Sequence, residues 1–177
     1  MRLRFLLDTN ICIYIAKRRP LEVLERFKKL HPGEVGMSVI TYGELCYGAG
    51  KSTNPPAAQQ TLRELSALIP VLPLGPQAGE RYGRIRRELE RTGRLIGNND
   101  LWIAAHAGAL GVVLVTNNDS EFGWVDGLAV ENWVRPPRTN VHETTAKYGA
   151  SSRQRNASSS LDHPRRTRRS RTAGTLT

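Results

Sequence analysis

Apolar residues in this chain come in short blocks, and the spacing within each block separates strands from helices. Leu3 to Leu7 is a short continuous run, expected as a central strand. Asn10 then caps a helix through ICIYIAKRR that Pro20 stops, and Pro20 opens a second helix, LEVLERFKKL, ended by His31-Pro32-Gly33. Val35 to Ile40 predicts a second strand, Thr41 begins the helix TYGELCYGAG, and Pro55-Pro56 breaks the chain before AAQQTLRELSALI. Val71 to Leu74 is a short strand marked as an edge by Pro73. Pro76 to Thr92 forms an amphipathic helix with a basic face of Arg84, Arg86, Arg87 and Arg91. Asn98-Asn99-Asp100 leads into the apolar helix LWIAAHAGALG, Val112 to Thr116 is the strongest buried strand, and LAVENW closes the series. Strands alternating with helices predict an α/β fold with a parallel sheet covered on both faces. Ligands of such sheets bind beyond the carboxyl ends of the strands, where Asp8 and Asn117-Asn118-Asp119 fall.

Composition changes this picture mainly at one end. The 177 residues are 39% hydrophobic, enough for one domain with a proper core. Residues 1–133 hold 16 basic and 14 acidic side chains, whereas 134–177 hold ten and two, so the net charge of +10 belongs mostly to the last segment. From about Arg135, Ser, Thr, Arg and Pro dominate without apolar periodicity. The expected division is a folded domain over 1–134 and a basic, disordered tail over 135–177. Phe5-Leu6-Leu7 is interrupted by Asp8, so no secretory leader is expected. No run approaches the roughly 18 apolar residues of a membrane span, and a cytoplasmic protein follows. Cys12 and Cys46 are expected as two buried, unpaired thiols.

Three acids then carry the candidate chemistry, and each also has an ordinary structural reading. Asp8 can cap a helix; Thr41-Tyr42-Gly43-Glu44 can form a capping box; Asp100 can share cap duty with Asn98 and Asn99. Taken together, the three acids stand at the entrances to three elements among small polar neighbours. Clustered carboxylates raise one another's pKa unless a cation neutralises them, and all-oxygen donors select Mg²⁺, with Mn²⁺ as a substitute, over zinc. A metal so held can orient water for attack on a phosphodiester.

The stretches LLDTNICIYIAKRRP, SVITYGELCYGAGKS, GRLIGNNDLWIAAHA, LVTNNDSEF and VENW, in this order over about residues 3–134, resemble the PIN-domain ribonuclease toxins of VapC type. The resemblance implies a PIN-like three-layer α/β/α sandwich with a mostly parallel sheet. It also implies an Mg²⁺-dependent endoribonuclease whose products end in 5′-phosphate and 3′-hydroxyl, a cognate VapB-type antitoxin that masks the site, a homodimer, and a structured substrate such as transfer RNA. Residue by residue, the family's catalytic acids fall on Asp8, Glu44 and Asp100, with Asp8 and Asp100 as primary metal ligands and Glu44 beside them. The fourth acidic position falls on Asn118, leaving Asp119 or Glu121 to complete the site. Thr9 and Asn10 match as supports of the first acid, and Thr116 and Asn117 lie nearby. Lys51, Arg91 and Arg94 are candidates to hold the RNA backbone.

Other readings rank lower. Gly48-Ala49-Gly50-Lys51-Ser52 is similar to the end of a P-loop, but its first glycine position is Leu45 and a helix precedes it. Leu-Leu-Asp at a strand end also resembles the haloacid-dehalogenase-like phosphatases, whose second acid would have to be Asn10. A non-catalytic nucleic-acid binder acting through the polycation around Arg165–Arg171 is the alternative from a different class. His106 is read as a packed or rim histidine, and Trp102, Trp124 and Trp133 as packing residues.

Overall fold

A computed structural model describes residues 2–134, so the expected basic tail lies outside the described residues. Five strands, β1 (Phe5–Leu7), β2 (Val35–Ser38), β3 (Val71–Leu72), β4 (Val113–Val115) and β5 (Val130–Glu131), form one sheet in the order β3-β2-β1-β4-β5. Every pairing is parallel, with Phe5 opposite both Val35 and Val113. Seven helices among the described residues connect them: α1 (Thr9–Lys17), α2 (Leu21–Lys28), α3 (Val39–Gly50), α4 (Pro55–Leu68), α5 (Pro76–Arg91), α6 (Asn98–Leu110) and α7 (Asp119–Phe122).

The pleat of β1 divides the core. Phe5 and Leu7 point to one face, where they pack with Ile11, Val23, Leu65 and Trp133 from or beside α1, α2 and α4. Leu6 points to the other, against Leu89, Leu101, Ile103 and Phe122 from α5, α6 and α7. The result is a three-layer α/β/α sandwich. The strand order turns at β1, whose neighbours lead outward in opposite directions, so the crevice beyond its carboxyl end is the switch point of the sheet. Helix α6 is buried on most sides, from Leu101 through Ala107, because the sheet covers one side and α5 another.

Several boundaries differ from the sequence expectation, each for a local reason. Strand β2 stops at Ser38, two residues before Ile40, because β3 offers partners only for Met37 and Ser38. Ser38 rather than Thr41 caps α3, its hydroxyl accepting from the Ile40 N–H. No capping box therefore forms at Glu44, which sits well inside the helix. Asn10 likewise caps nothing; Asp8 caps α1 by accepting from the Thr9 N–H. Pro20 is the cap residue of α2 rather than part of its first turn, and Pro55 and Pro56 lie inside the first turn of α4 instead of before it. None of Asn98, Asn99 or Asp100 caps α6, a place taken by Gly97. Cys12 is buried as expected, but Cys46 is exposed on α3, and both are free thiols. Trp133 packs edge-on to Phe5 and Trp102 stacks on Tyr82, while Trp124 stands 39% exposed. His106 is fully buried, not at a rim. No helix among the described residues is long and apolar enough to cross a membrane.

Candidate active site

The carboxyl edge of the sheet opens into a cleft of about 720 Å³ whose walls include Asp8, Glu44, Asp100, Thr9, Asn10 and Asn118. Each acid arrives from a different element. Asp8 follows β1 directly, and its N–H extends the sheet ladder to the Val115 carbonyl at 2.9 Å. Glu44 projects from α3, and Asp100 from the first turn of α6.

Asp8 is buried and firmly held. One carboxylate oxygen accepts from the Thr9 N–H at 2.7 Å, and the other from the buried Thr116 hydroxyl at 2.8 Å. Thr116 also accepts the Asn118 N–H at 3.0 Å, so it pins the turn after β4 to the acid at the end of β1. Burial pushes the Asp8 carboxyl up; the two hydrogen bonds oppose that shift, and the charge of Glu44 adds to it. Glu44 is held on both oxygens, by the Thr9 hydroxyl and by the Asn99 side-chain amide at 2.8 Å.

Asp100 differs from both. No hydrogen bond reaches its carboxylate from the described residues, and Gly97 leaves it room: a Cβ there would stand 3.3 Å from an Asp100 oxygen. Its pKa is pushed up to about 6, first by burial and then by the negative charges of Asp8, Glu121 and Glu44. No lysine or arginine lines the cleft to relieve this repulsion.

Of the other residues singled out in the sequence, Glu121 lies within electrostatic reach of Asp100. Asp119 is outside the cleft wall, its carboxylate accepting from the Asn132 amide at 3.0 Å. Asn117 donates to the Tyr14 hydroxyl at 3.0 Å. Lys51 contacts the Tyr47 ring and hydroxyl beside the cleft. Arg91 is paired with Glu88, and neither it nor the exposed Arg94 reaches the cleft wall. The sequence reading missed Asn99 as a support of Glu44, together with Tyr47 and Val39 as exposed apolar walls. Adjacency to Asp100 was the only linear signal for Asn99.

Residues 5–128 match the PIN domain family. The chain belongs to it. Among its curated relatives, Ribonuclease VapC2 of Haemophilus influenzae is 45% identical over 75% of this chain and 99% of its own length. The tRNA(fMet)-specific endonuclease VapC of Shigella flexneri is 44% identical over 74% and 98%. Solved structures agree with the fold. VapBC-1 from nontypeable Haemophilus influenzae superposes with a TM-score of 0.70 at 40% identity, covering 75% of this chain and all of that one. DNA-bound VapBC from Salmonella typhimurium also gives 0.70, at 41% identity over 74% and 98%. The chain is thus a PIN-domain nuclease of VapC type, and the α/β/α sandwich expected from its sequence is the PIN fold.

Proposed function

We propose that this PIN-domain nuclease is the toxin of a toxin–antitoxin pair and hydrolyses RNA phosphodiester bonds at the Asp8–Glu44–Asp100 cleft with Mg²⁺, or Mn²⁺ in its place. The observation that carries the reading is the gathering of three acids from β1, α3 and α6 around one cleft whose wall holds no basic side chain. The donors fit a hard cation, being carboxylate oxygens under mutual repulsion. Among the described residues no group of three or more His, Cys, Asp and Glu side chains is arranged to hold a metal ion by itself. An open set of this kind suits an ion that keeps several of its waters and is held by one or two carboxylates and the substrate phosphate.

When bound, Mg²⁺ would neutralise charge developing on the phosphate and acidify a water. The chain's residues divide the remaining work. Asp8, immobilised by Thr9 and Thr116, and Asp100, without a fixed donor, are the ligands. Glu44, with one hydrogen bond to each oxygen, keeps lone pairs to orient the attacking water and take up its proton. Attack by water leaves a 5′-phosphate and a 3′-hydroxyl. Neither Glu121 nor Asp119 lines the cleft, but the charge of Glu121 reaches Asp100 while Asp119 accepts from Asn132, so Glu121 is the better candidate for the fourth acidic place. Asn10 and Asn118 serve as polar walls for the substrate.

The name of the Shigella relative supports transfer RNA as the substrate, and the VapBC assemblies support a VapB-type antitoxin partner. Incubating the protein with total transfer RNA and Mg²⁺, with and without EDTA, and sequencing the new ends tests the activity. Asp8→Asn is expected to abolish cleavage while the protein still folds. Metal-independent cleavage, or full activity in that variant, would overturn the site assignment. Salt-sensitive RNA binding without any cleavage would favour the tail-borne binder instead.

A further inference from the structure

A second cavity, of about 390 Å³, lies where α5 meets the turn after α7. Arg81, Arg84 and Arg87 line it from the helix, and Trp124, Val125 and Asp126 face them. Spaced three residues apart, the arginines share one side of α5. Four other arginines of the described residues are in ion pairs, Arg4 with Glu34, Arg26 with Glu131, Arg86 with Glu90 and Arg91 with Glu88, whereas Arg2, Arg18, Arg19, Arg63 and Arg94 show none. Arg81, Arg84 and Arg87 make no such ion pair among the described residues. Glu88 also lines the cavity, but Arg91 already holds it through two hydrogen bonds. Gly108 of α6 gives way to Arg81, since a Cβ there would stand 2.9 Å from a guanidinium nitrogen.

Trp124 completes the arrangement. Of the three tryptophans, only this one has no ring partner among the described residues, and it is 39% exposed in the cavity wall. An indole without a ring partner beside three guanidiniums in no ion pair, Arg87 also feeling the charge of Glu88, matches the two demands of a single-stranded RNA segment, a surface for a base and forked donors for phosphates. The cavity is also tied to the cleft. The backbone N–H of Trp124 donates to the Glu121 carbonyl at 3.1 Å, and Glu121 is one of three acids, with Asp8 and Glu44, whose charges act on Asp100. One turn of chain thus spans from the acidic site to the cationic one.

We propose that Arg81, Arg84, Arg87 and Trp124 form an accessory RNA-binding site, which takes a single-stranded segment of the substrate beyond the scissile bond by gripping phosphates and stacking a base on Trp124. This rests on the ribonuclease reading of the cleft and adds to it where the rest of the substrate lies.

The test compares the full chain with its Arg84→Glu/Arg87→Glu and Trp124→Ala variants, both altered only at exposed positions. Binding of a mixed-sequence single-stranded RNA, long enough to reach both sites, is measured in EDTA across a salt series. Cleavage of that RNA and of a short oligonucleotide that fills only the cleft is measured with Mg²⁺. The charge reversal is expected to weaken long-RNA binding about tenfold or more and to flatten the salt slope by about one to two. Trp124→Ala should weaken it by about fivefold or more, with Trp124→Phe restoring most of the loss. Short-oligonucleotide cleavage and thermal stability should not change. Equal losses on long and short RNA, or unchanged long-RNA binding and salt slope, would overturn the proposal; the latter would leave the face to a protein partner. If the unaltered protein cleaves neither RNA, the ribonuclease reading has failed, and the EDTA binding series alone still decides the accessory site.

Discussion

Asp8 and Asp100 face the same cleft, yet the molecule treats them oppositely. Asp8 is buried, and both its oxygens are committed to donors from Thr9 and Thr116. Asp100 is half-buried and accepts no hydrogen bond from the described residues, while burial first and then three other carboxylates raise its pKa to about 6. One acid is fixed by the protein; the other is left for something positive to fix. On the proposed metal-dependent reading, the difference teaches how a site can be ordered before an ion arrives without collapsing around its own charges. Hydrogen bonds from Thr9 and Thr116 oppose the effect of burial on Asp8, whereas burial and neighbouring charge act together on Asp100 with no donor to oppose them.

The largest expected effect breaks the comparison at its free corner. Asp100→Asn should reduce RNA cleavage to background, and it should also change how the metal-free protein responds to pH. Between the ordinary value of 3.8 and about 6, Asp100 holds more proton in the folded chain than in the unfolded one. Stability of the metal-free protein therefore falls as pH rises through that window. Asp8, also raised, contributes with the same sign and remains in the variant. Melting curves from about pH 4 to pH 7 should consequently show a shallower decline for Asp100→Asn, and an unchanged slope would mean that charge does not accumulate at this corner.

The fixed corner is tested by Thr116→Val, which keeps the shape but removes the donor to Asp8. A loss of about 10- to 100-fold in Mg²⁺ affinity or activity is expected, with Thr116→Ser recovering much of it. Titration of activity against Mg²⁺ concentration separates weaker binding from misfolding. Activity equal to the unaltered protein would show that Asp8 does not depend on being held.

The smallest effect concerns room. Gly97→Ala would place a methyl 3.3 Å from the Asp100 carboxylate, a gap that a side chain can widen by a small rotation. A few-fold fall in activity at low Mg²⁺, largely restored at high Mg²⁺, is expected from steady-state assays. An effect as large as that of Asp100→Asn would mean that Asp100 is as rigidly placed as Asp8.

These contrasts also separate what the linear sequence could express from what it could not. The strand ends and the three acids were legible, because an acid that interrupts an apolar run is visible without coordinates. The role of Glu44 was obscured by Thr41, since Val39-Ile40-Thr41 is β-branched throughout and extends the apparent strand. The strand actually ends at Ser38, where β3 runs out of partners. Helix α7 spans only Asp119–Phe122, too few residues to express a helical period, so the choice among Asn118, Asp119 and Glu121 had no pattern to rest on. Asn99 binds Glu44 across 55 residues, a pairing that only tertiary structure creates. The exposure of Cys46 was missed for a related reason. Apolar content marks α3 as packed but does not tell which of its sides is covered.

The place of β1 has a consequence for synthesis. The first strand made is the middle strand of the finished sheet, and its neighbour β4 ends 108 residues after Leu7, at Val115. Asp8 waits for Thr116, and Asp100 is itself translated late. A nascent chain therefore carries Asp8 for most of its elongation without the sheet edge and the Thr116 hydroxyl that hold its carboxylate in the finished domain. Long-range parallel pairing of this kind is slow to close, so the Asp8–Thr116 contact is completed only after almost all of the domain has been made.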